Sequence, residues 1–189
     1  MSGNFKFQMK ITPTAIPDVL IIEPKVFGDN RGFFLESFNQ KAFDEATGLN
    51  KIFVQDNLSR SSHNVLRGLH YQVKNPQGKL VQVMEGEVFD VAVDLRKSSS
   101  SCGRWVAATL SAANRLQHWI PPGFAHGFLV TSLSADVLYK TTGYYAPEHE
   151  RAIHWDDTAI GIQWPLQGPP VLSARDLRAE PLKNAELFA

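Results

Sequence analysis

Two histidines in this sequence stand beside residues that can assist proton transfer. His70 lies in an Arg-Gly-Leu-His-Tyr-Gln segment that begins at Arg67, and His126 closes a Pro-x-Gly-x-x-His turn. A lysine, Lys79, follows nine residues after His70. A neutral histidine can remove a proton next to a carbonyl group, a cation can hold the enolate oxygen, and a tyrosine can return a proton. These residue types predict proton abstraction beside a ketone, for which no metal or organic cofactor is required.

A metal site is the main alternative use of these histidines. The turn ending at His126 resembles the second sequence motif of cupin barrels, most of which bind a metal through two histidines spaced by one residue, a glutamate and a third histidine. Here Gln72 stands two residues after His70, and no glutamate follows before Glu85. Lys79 adds positive charge where a divalent ion needs a donor. Two histidines are too few ligands for a stable site, so no metal is expected.

Charge and composition exclude several classes of partner. The 189 residues include 19 Lys and Arg against 19 Asp and Glu, and this balance argues against nucleic acid, which needs a surplus of cations along one face. The apolar runs are too short to span a bilayer, so no membrane partner is expected. No signal peptide is recognisable, and the single cysteine, Cys102, suits a reducing cytosol, so a cytoplasmic location is expected. Residues 1–8 are interpreted as an expression remnant before a natural start at Met9.

Short alternating apolar runs, interrupted by Gly, Pro and Asn, predict a β-sandwich or β-barrel. The segment Leu80–Leu95 has the pattern of a hairpin that turns at Gly86. Helical patterns are confined to Phe38–Thr47 and to a short segment after Ser173. No linker interrupts residues 1–189, which predicts one domain whose proline-rich tail, from about residue 165, wraps the barrel.

An ordered set of motifs is more specific than any of these patterns. In chain order the motifs are Phe27–Glu36, Gln55–Ser59, Val65–Gln72, Gly78–Val81, Val88–Arg96, Ile120–Phe128, Tyr139–Lys140, Ile153–Asp156 and Leu172–Asp176. From about residue 11 to about residue 176 the chain resembles the dTDP-4-dehydrorhamnose 3,5-epimerase family of cofactor-independent sugar-nucleotide epimerases. The resemblance implies an all-β, cupin-type jelly-roll barrel with a few short peripheral helices, assembled as a homodimer.

The resemblance also implies a reaction and a set of catalytic residues. The implied substrate is dTDP-4-dehydro-6-deoxy-D-glucose, which becomes dTDP-4-dehydro-L-rhamnose by inversion at C3 and C5. Each inversion removes a proton next to the C4 ketone and returns one on the opposite face. By position, His70 matches the general base and Tyr139 the proton donor. Asp176 matches the carboxylate paired with the histidine, and Lys79 matches the group that steadies the enolate.

Further positions match residues that contact the substrate in this family. Arg67 and His126 match pocket residues near the sugar and the diphosphate, and Tyr145 matches an aromatic residue that stacks on the nucleoside. The remaining matches, some of which would reach from the partner subunit, are Arg31, Glu36, Gln55, Asp56, Asn57, Glu150 and Arg175. The family often has lysine at the position of Arg175, so charge is kept there while geometry changes.

Several alternatives stay open at the level of sequence. One alternative is a relative that inverts only C3 or only C5 of a related dTDP-4-keto-deoxysugar. The other is a non-enzymatic cupin that binds a sugar nucleotide, although binding alone needs no acid–base pair. Asp176 follows Ser173 by three residues, so it could cap a helix instead of orienting His70, and one carboxylate is not expected to do both. The histidines interpreted as structural are His63, His118, His149 and His154.

Overall fold

A computed structural model of the chain describes residues 9–189, so the expression remnant predicted at residues 1–8 lies outside the described residues. In chain order the strands are β1 (Lys10–Pro13), β2 (Leu20–Glu23), β3 (Val26–Asp29), β4 (Gly32–Leu35), β5 (Gln55–Ser62), β6 (Leu66–Gln72), β7 (Lys79–Glu85), β8 (Glu87–Asp94), β9 (Trp105–Ser111), β10 (Gln117–Ile120), β11 (Phe124–Val130), β12 (Ser134–Thr141) and β13 (Glu150–Ala152). The helices are α1 (Gln40–Thr47) and the short 3₁₀ helices Pro147–His149, Asp176–Arg178 and Leu182–Asn184.

Two antiparallel sheets form the barrel, and β3 and β4 form a separate hairpin. The larger sheet has the strand order β1-β2-β10-β7-β12-β5, and the smaller has the order β13-β6-β11-β8-β9. Residues from both sheets pack together in one buried cluster: Val81 of β7 and Val137 of β12 come from the larger sheet, and Val88 of β8 and Phe128 of β11 from the smaller. The prediction of an all-β fold is confirmed.

The predicted hairpin over Leu80–Leu95 is wrong in its pairing. β7 and β8 follow each other through Gly86, whose φ is 76°. However, β7 pairs with β10 and β12, whereas β8 pairs with β9 and β11. The chain therefore crosses from one sheet to the other at Gly86, where a Cβ atom would lie 1.9 Å from the carbonyl oxygen of Ser134. Alternation identifies two strands and a turn, but it carries no information about which strand each one pairs with.

A second apolar layer covers the outer face of the smaller sheet. The outward residues of β8, including Val91 and Val93, are fully buried because the chain after β13 packs over them. Ile160, Ile162 and Trp164 belong to this layer. The C-terminal segment is thus part of the hydrophobic core, and its course over the barrel determines where the residues that follow it lie.

The one α-helix among the described residues covers the outer face of the larger sheet. It begins at the Asn39 cap, whose side chain accepts a hydrogen bond from the Ala42 N–H, and it ends at Gly48 in the left-handed conformation. The helix predicted over Phe38–Thr47 is therefore confirmed to within two residues. Phe43 anchors it against Trp119 of β10, with the ring centroids 5.5 Å apart. No helix within residues 9–189 is long and apolar enough to cross a membrane.

Two glycines allow β6 and β11 to approach each other closely at the centre of the smaller sheet. A Cβ atom on Gly68 would lie 2.5 Å from the Gly127 Cα atom, and one on Gly127 would lie 2.8 Å from the Arg67 carbonyl oxygen. The register shifts between His126 and Phe128, and beyond that irregularity His126 lies directly opposite His70. Close backbone packing therefore places both motif histidines side by side on neighbouring strands.

Candidate active site

A cleft of about 320 Å³ lies between the inner faces of the two sheets, at the end where β12 leads to β13. Its lining residues are Gln55, Asn57, His70, Gln77, Lys79, Tyr139, Tyr145, Glu150 and Arg175. All of these except Gln77 are predicted site residues. Strand alternation explains the convergence, because Leu69 and Tyr71 of β6 pack into the outer apolar layer and therefore turn His70 inward.

His70 is bonded to the buried carboxylate of Asp176. The distance from His70 Nε2 to Asp176 Oδ1 is 2.6 Å, and the Asp176 side chain is 3% exposed. The second carboxylate oxygen accepts a hydrogen bond from Ser173 Oγ at 2.8 Å, while the Asp176 N–H donates to the same Oγ at 3.1 Å. The structure does not show Asp176 as a helix cap, because the 3₁₀ helix Asp176–Arg178 has Arg175 at its N-cap and no side-chain capping hydrogen bond. The carboxylate instead bonds to the side chains of His70 and Ser173, one on each oxygen.

The surroundings of Asp176 keep it ionised. Burial by itself would raise the pKa of this carboxyl group, but the hydrogen bonds from His70 and Ser173 outweigh burial and hold the pKa below its usual value. With Asp176 ionised, His70 Nε2 is the donor of their hydrogen bond. The lone pair of the neutral imidazole is then on Nδ1, which is the atom available to take a proton.

Lys79 and Tyr139 lie together on adjacent strands of the larger sheet. The Lys79 Nζ atom is 5.9 Å from the centroid of the Tyr139 ring. Burial of the ammonium group lowers the pKa of Lys79 to about 8, against the opposing effect of the negative charges of Glu150 and Asp90. Burial also raises the pKa of Tyr139, so its hydroxyl group keeps its proton across the neutral range.

Glu150 connects two residues at the mouth of the cleft. The same oxygen, Oε2, accepts hydrogen bonds from the Tyr145 hydroxyl group and from Arg175 Nη1. Burial tends to raise the pKa of Glu150, but the bonds from Arg175 and Tyr145 outweigh it, so the carboxylate is ionised. Arginine in place of the lysine common in the family therefore still forms a direct ion pair here, with a carboxylate that is 14% exposed.

The neighbouring residues Gln55, Asp56 and Asn57 divide between the two faces of β5. Gln55 Oε1 accepts from the Tyr145 N–H at 3.0 Å, and Gln55 Nε2 donates to Asn57 Oδ1 at 2.8 Å. Asp56 lies on the opposite face, where it pairs with Lys140 at 2.8 Å. Of the three predicted contacts, the structure brings Gln55 and Asn57 to the cleft and leaves Asp56 outside it.

Arg67 and His126 are not among the residues that line this cleft: Arg67 is exposed, whereas His126 is buried. Arg67 Nε donates to Ser61 Oγ at 2.9 Å, and its charge lowers the pKa of Tyr139 against the larger effect of burial. His126 Nε2 bonds to Asp90 Oδ2 at 2.7 Å. Burial lowers the pKa of His126, and the Asp90 carboxylate opposes that shift.

Asp90 is a buried charged residue that our sequence analysis gives no role. Its second oxygen bonds to His118 Nδ1 at 2.8 Å, so one carboxylate holds two histidines inside the barrel. The sequence contains a usable signal, because an aspartate between Val88 and Ala92 falls on the inward face of an apolar strand. Among the described residues, no three His, Cys, Asp or Glu side chains are grouped as metal ligands.

Arg31 and Glu36 do not line the cleft of their own chain. Arg31 is at the tip of the β3–β4 hairpin, where its side chain is 90% exposed and pairs with Asp29. Glu36 follows the hairpin and accepts a hydrogen bond from Asn39 Nδ2 at 2.9 Å. The structure thus separates these two predicted contacts from the other site residues.

Comparison with known proteins identifies the family. The profile of the dTDP-4-dehydrorhamnose 3,5-epimerase family matches residues 13–184. The chain belongs to this family. It is 58% identical to the dTDP-4-dehydrorhamnose 3,5-epimerase of Pseudomonas aeruginosa over 95% of this chain and 99% of that one, and 58% identical to the enzyme of the same name from Salmonella typhimurium over 95% and 98%.

A solved structure of a relative gives the same result. The dTDP-6-deoxy-D-glucose-3,5-epimerase of Legionella pneumophila, in complex with dTDP-4-keto-L-rhamnose, superimposes with a TM-score of 0.94 at 52% identity, over 96% of this chain and 98% of that chain. The epimerase resemblance, the cupin-type jelly-roll fold and the assignment to the isomerases are therefore confirmed.

The two sets of bonds made by Asp176 can be tested separately. We expect Asp176→Asn to lower kcat by about 10²–10⁴-fold, because the amide no longer fixes the His70 tautomer or stabilises an imidazolium. The comparison variant Ser173→Ala removes the bonds to Oδ2 and to the Asp176 N–H but leaves the bond from His70 to Oδ1. It should cost about 0.5–1.5 kcal/mol of stability and lower kcat far less than Asp176→Asn does. Steady-state kinetics and chemical denaturation measure both quantities. An equal loss of kcat in the two variants would contradict this assignment.

The lowered pKa of Lys79 predicts an alkaline limit to turnover. A group that steadies an enolate must be protonated, so kcat/KM, which reports the pKa values of the free enzyme, should fall as the pH rises through about 8. Lys79→Arg keeps the charge with a side chain that stays protonated, so the variant should lose the alkaline limb even if its overall rate is lower. The measurement is kcat/KM from pH 6 to 10 for both proteins. An unchanged limb in the variant would show that another group titrates.

Proposed function

We propose that this chain inverts C3 and C5 of dTDP-4-dehydro-6-deoxy-D-glucose to give dTDP-4-dehydro-L-rhamnose. The observation that carries the proposal is the ionised, buried Asp176 bonded to His70 in the cleft that also holds Lys79 and Tyr139. The keto sugar nucleotide bound to the Legionella relative supports the class of substrate.

His70 is the base in this reaction. The C4 ketone acidifies the hydrogens on C3 and C5, and His70 Nδ1 takes one of them as a proton. The electron pair of the broken C–H bond moves into the C3–C4 or C4–C5 bond and the carbonyl pair moves onto oxygen, forming an enolate. Asp176 stabilises the imidazolium through Nε2 without itself taking the proton. No electron leaves the substrate, so the step needs no oxidant and no redox cofactor.

Lys79 and Tyr139 complete each inversion. The Lys79 ammonium group stabilises the negative charge on the enolate oxygen. Tyr139 donates its hydroxyl proton to the carbon on the face opposite His70, and the enolate electrons form the new C–H bond. His70 then releases its proton to solvent, and the Tyr139 phenolate regains one. The same cycle at the second carbon gives the doubly inverted product.

The nucleotide half of the substrate supplies binding energy that holds the sugar ring between acid and base. Tyr145 stacks on the nucleoside, and its half-exposed ring at the mouth of the cleft is accessible for this contact. Arg175 and Arg67 offer guanidinium groups to the diphosphate oxygens. Glu150 holds Tyr145 and Arg175 in place, while Gln55 and Asn57 line the cleft beside them.

A homodimer would bring the remaining predicted contacts into the site. The β3–β4 hairpin carries Phe33 and Phe34, which are 60% and 61% exposed, and a monomer has no reason to leave two such rings in water. Leu58 on the outer face of the edge strand β5 is also exposed. We therefore assign this apolar surface to a subunit interface that places Arg31 and Glu36 of one subunit in the cleft of the other, with Asp56 near the same interface.

The alternatives left open by the sequence predict different exchange patterns. An enzyme that inverts a single carbon introduces one solvent deuteron into its product, and a non-enzymatic binding protein introduces none. Our proposal predicts deuterium at both C3 and C5. Proton NMR of dTDP-4-dehydro-6-deoxy-D-glucose with enzyme in deuterium oxide distinguishes the three, and His70→Ala should abolish exchange at both carbons while leaving dTDP binding nearly intact.

Tyr139→Phe separates proton removal from inversion. The variant keeps the ring and loses only the hydroxyl group, so His70 can still form the enolate and return a proton to the face from which it came. Deuterium should therefore enter with retained configuration while the inverted product falls by about 10²-fold or more. Tyr144→Phe, which deletes a hydroxyl group from the 70% exposed neighbour of Tyr145, is the matched control and should behave as wild type. Inversion at the wild-type rate in Tyr139→Phe would contradict its role as the acid.

Complementation tests whether Arg31 acts in the partner's site. Arg31→Glu and His70→Ala should each be nearly inactive alone. In a mixed dimer one of the two sites combines His70 from one subunit with Arg31 from the other, so co-expression should restore about a quarter of wild-type kcat per total subunit. Light scattering on the wild-type protein measures the subunit number. No recovery of activity, or a monomeric mass, would exclude the shared site.

A further inference from the structure

Gln72 has a buried side chain whose hydrogen-bonding groups are all used on the backbone of two loops. Its Nε2 atom lies 3.2 Å from the Lys74 carbonyl oxygen, 3.0 Å from that of Asn75 and 3.4 Å from that of Tyr144. Its Oε1 atom accepts from the Ala146 N–H at 3.0 Å. The residue is 4% exposed, so these groups have no competing access to bulk water.

The two loops joined by Gln72 border the cleft. The first, residues 73–78, connects β6 to β7, and the second, residues 142–147, follows β12. Gln77 Nε2 also bonds to the Gly143 carbonyl oxygen at 2.8 Å, and the Gly78 N–H bonds to Thr142 Oγ1 at 2.8 Å. These two bonds fix the start of the second loop, whereas Gln72 holds the part that contains Tyr145.

Gln72 bonds to the backbone of both residues that flank Tyr145 in the chain. Gln72 binds the carbonyl group of Tyr144 and the N–H of Ala146, and the N–H of Tyr145 itself is bound by Gln55. Tyr145 is 51% exposed, and its hydroxyl group bonds to Glu150. A ring with this little side-chain packing takes its position mainly from its backbone, and that backbone is held by two glutamine amides.

We propose that Gln72 is a positioning residue that fixes Tyr145 for contact with the nucleoside of the substrate. The inference rests on the proposed function, in which Tyr145 stacks on that nucleoside. Glutamine suits this task because its amide supplies a donor and an acceptor at the same time, and the loop requires both. Gln72 also occupies the position two residues after His70 at which metal-binding cupins have a second histidine, so a potential ligand position is used to organise a loop.

The experiment measures dTDP affinity by calorimetry, together with KM and kcat, in Gln72→Met. This variant keeps the length of the side chain and removes its hydrogen bonds. We expect dTDP binding to weaken by about tenfold and KM to rise similarly, because the backbone groups left unpaired release the loop, while kcat changes by less than about threefold. Wild-type dTDP affinity and KM in a folded Gln72→Met would overturn the proposal.

A double-mutant cycle with Tyr145→Ala tests whether Gln72 acts through the ring. If it does, Gln72→Met should change dTDP affinity by less than about twofold once the ring is gone. An equal tenfold loss in both backgrounds would show that Gln72 supports the site in some other way and would overturn the proposal. Gln72→Glu, which keeps the acceptor for Ala146 but loses the donors, is the second variant and should weaken dTDP at least as much as Gln72→Met.

The matched control is Gln82→Met on β7, in the larger sheet. Gln82 is also a buried glutamine, but within the described part of the chain its side chain bonds to that of Gln117 and to neither loop of the cleft. The control should lose stability without losing dTDP affinity, whereas equal weakening of dTDP in both variants would overturn the specific role of Gln72. Failure of the proposed function has a separate signature, because the wild-type protein itself would then lack solvent exchange at C3, at C5 or at both, whatever its dTDP affinity.

Discussion

The hydrogen bond between His70 and Asp176 is the contact that constrains this fold most, because its two residues come from distant parts of the chain and must be brought together. His70 is on a central strand of the smaller sheet, and Asp176 arrives only after the chain has covered the outer face of that sheet. The buried residues Ile160 and Ile162 hold this covering segment in place. Apolar burial on the outside of the barrel therefore determines the position of a carboxylate on the inside, and Ser173 fixes that carboxylate for its partner.

Burial and the available ion-pair partners together determine the pKa of each charged residue at the cleft. Lys79 forms no ion pair within the described chain, and the carboxylates of Glu150 and Asp90 act on it only at a distance, so burial dominates and its pKa falls. Asp90 is compensated by two histidines, and Glu150 by Arg175 and Tyr145. Each carboxylate thus has its own partners, and the ammonium group of Lys79 has no carboxylate in direct contact among the described residues. Such a cation is suited to a negative charge that appears only during the reaction.

The period of two along the strands made much of this fold predictable, and its limits explain what was missed. Alternation correctly identified strands, and the helix that ends at Gly48 followed from its C-terminal glycine. The pairing of β7 and β8 was not predictable, since a crossover between sheets has the same local pattern as a hairpin. The sequence leaves Asp176 either as a helix cap or as the partner of His70, because its spacing from Ser173 does not show which side chains its two oxygens meet. Asp90 was overlooked because its histidine partners lie on two other strands.

In our proposals, Gln72 and Lys79 adapt a cupin-type barrel to proton chemistry in place of metal binding. The inner surface of such a barrel offers a few inward positions, and the side chains at those positions decide whether a cation or an enolate is stabilised. In our proposals, Gln72 organises a loop and Lys79 supplies the positive charge that stabilises the enolate. An ammonium group in that role occupies no coordination position of His70. The imidazole would then keep a free nitrogen for proton abstraction on either side of the ketone.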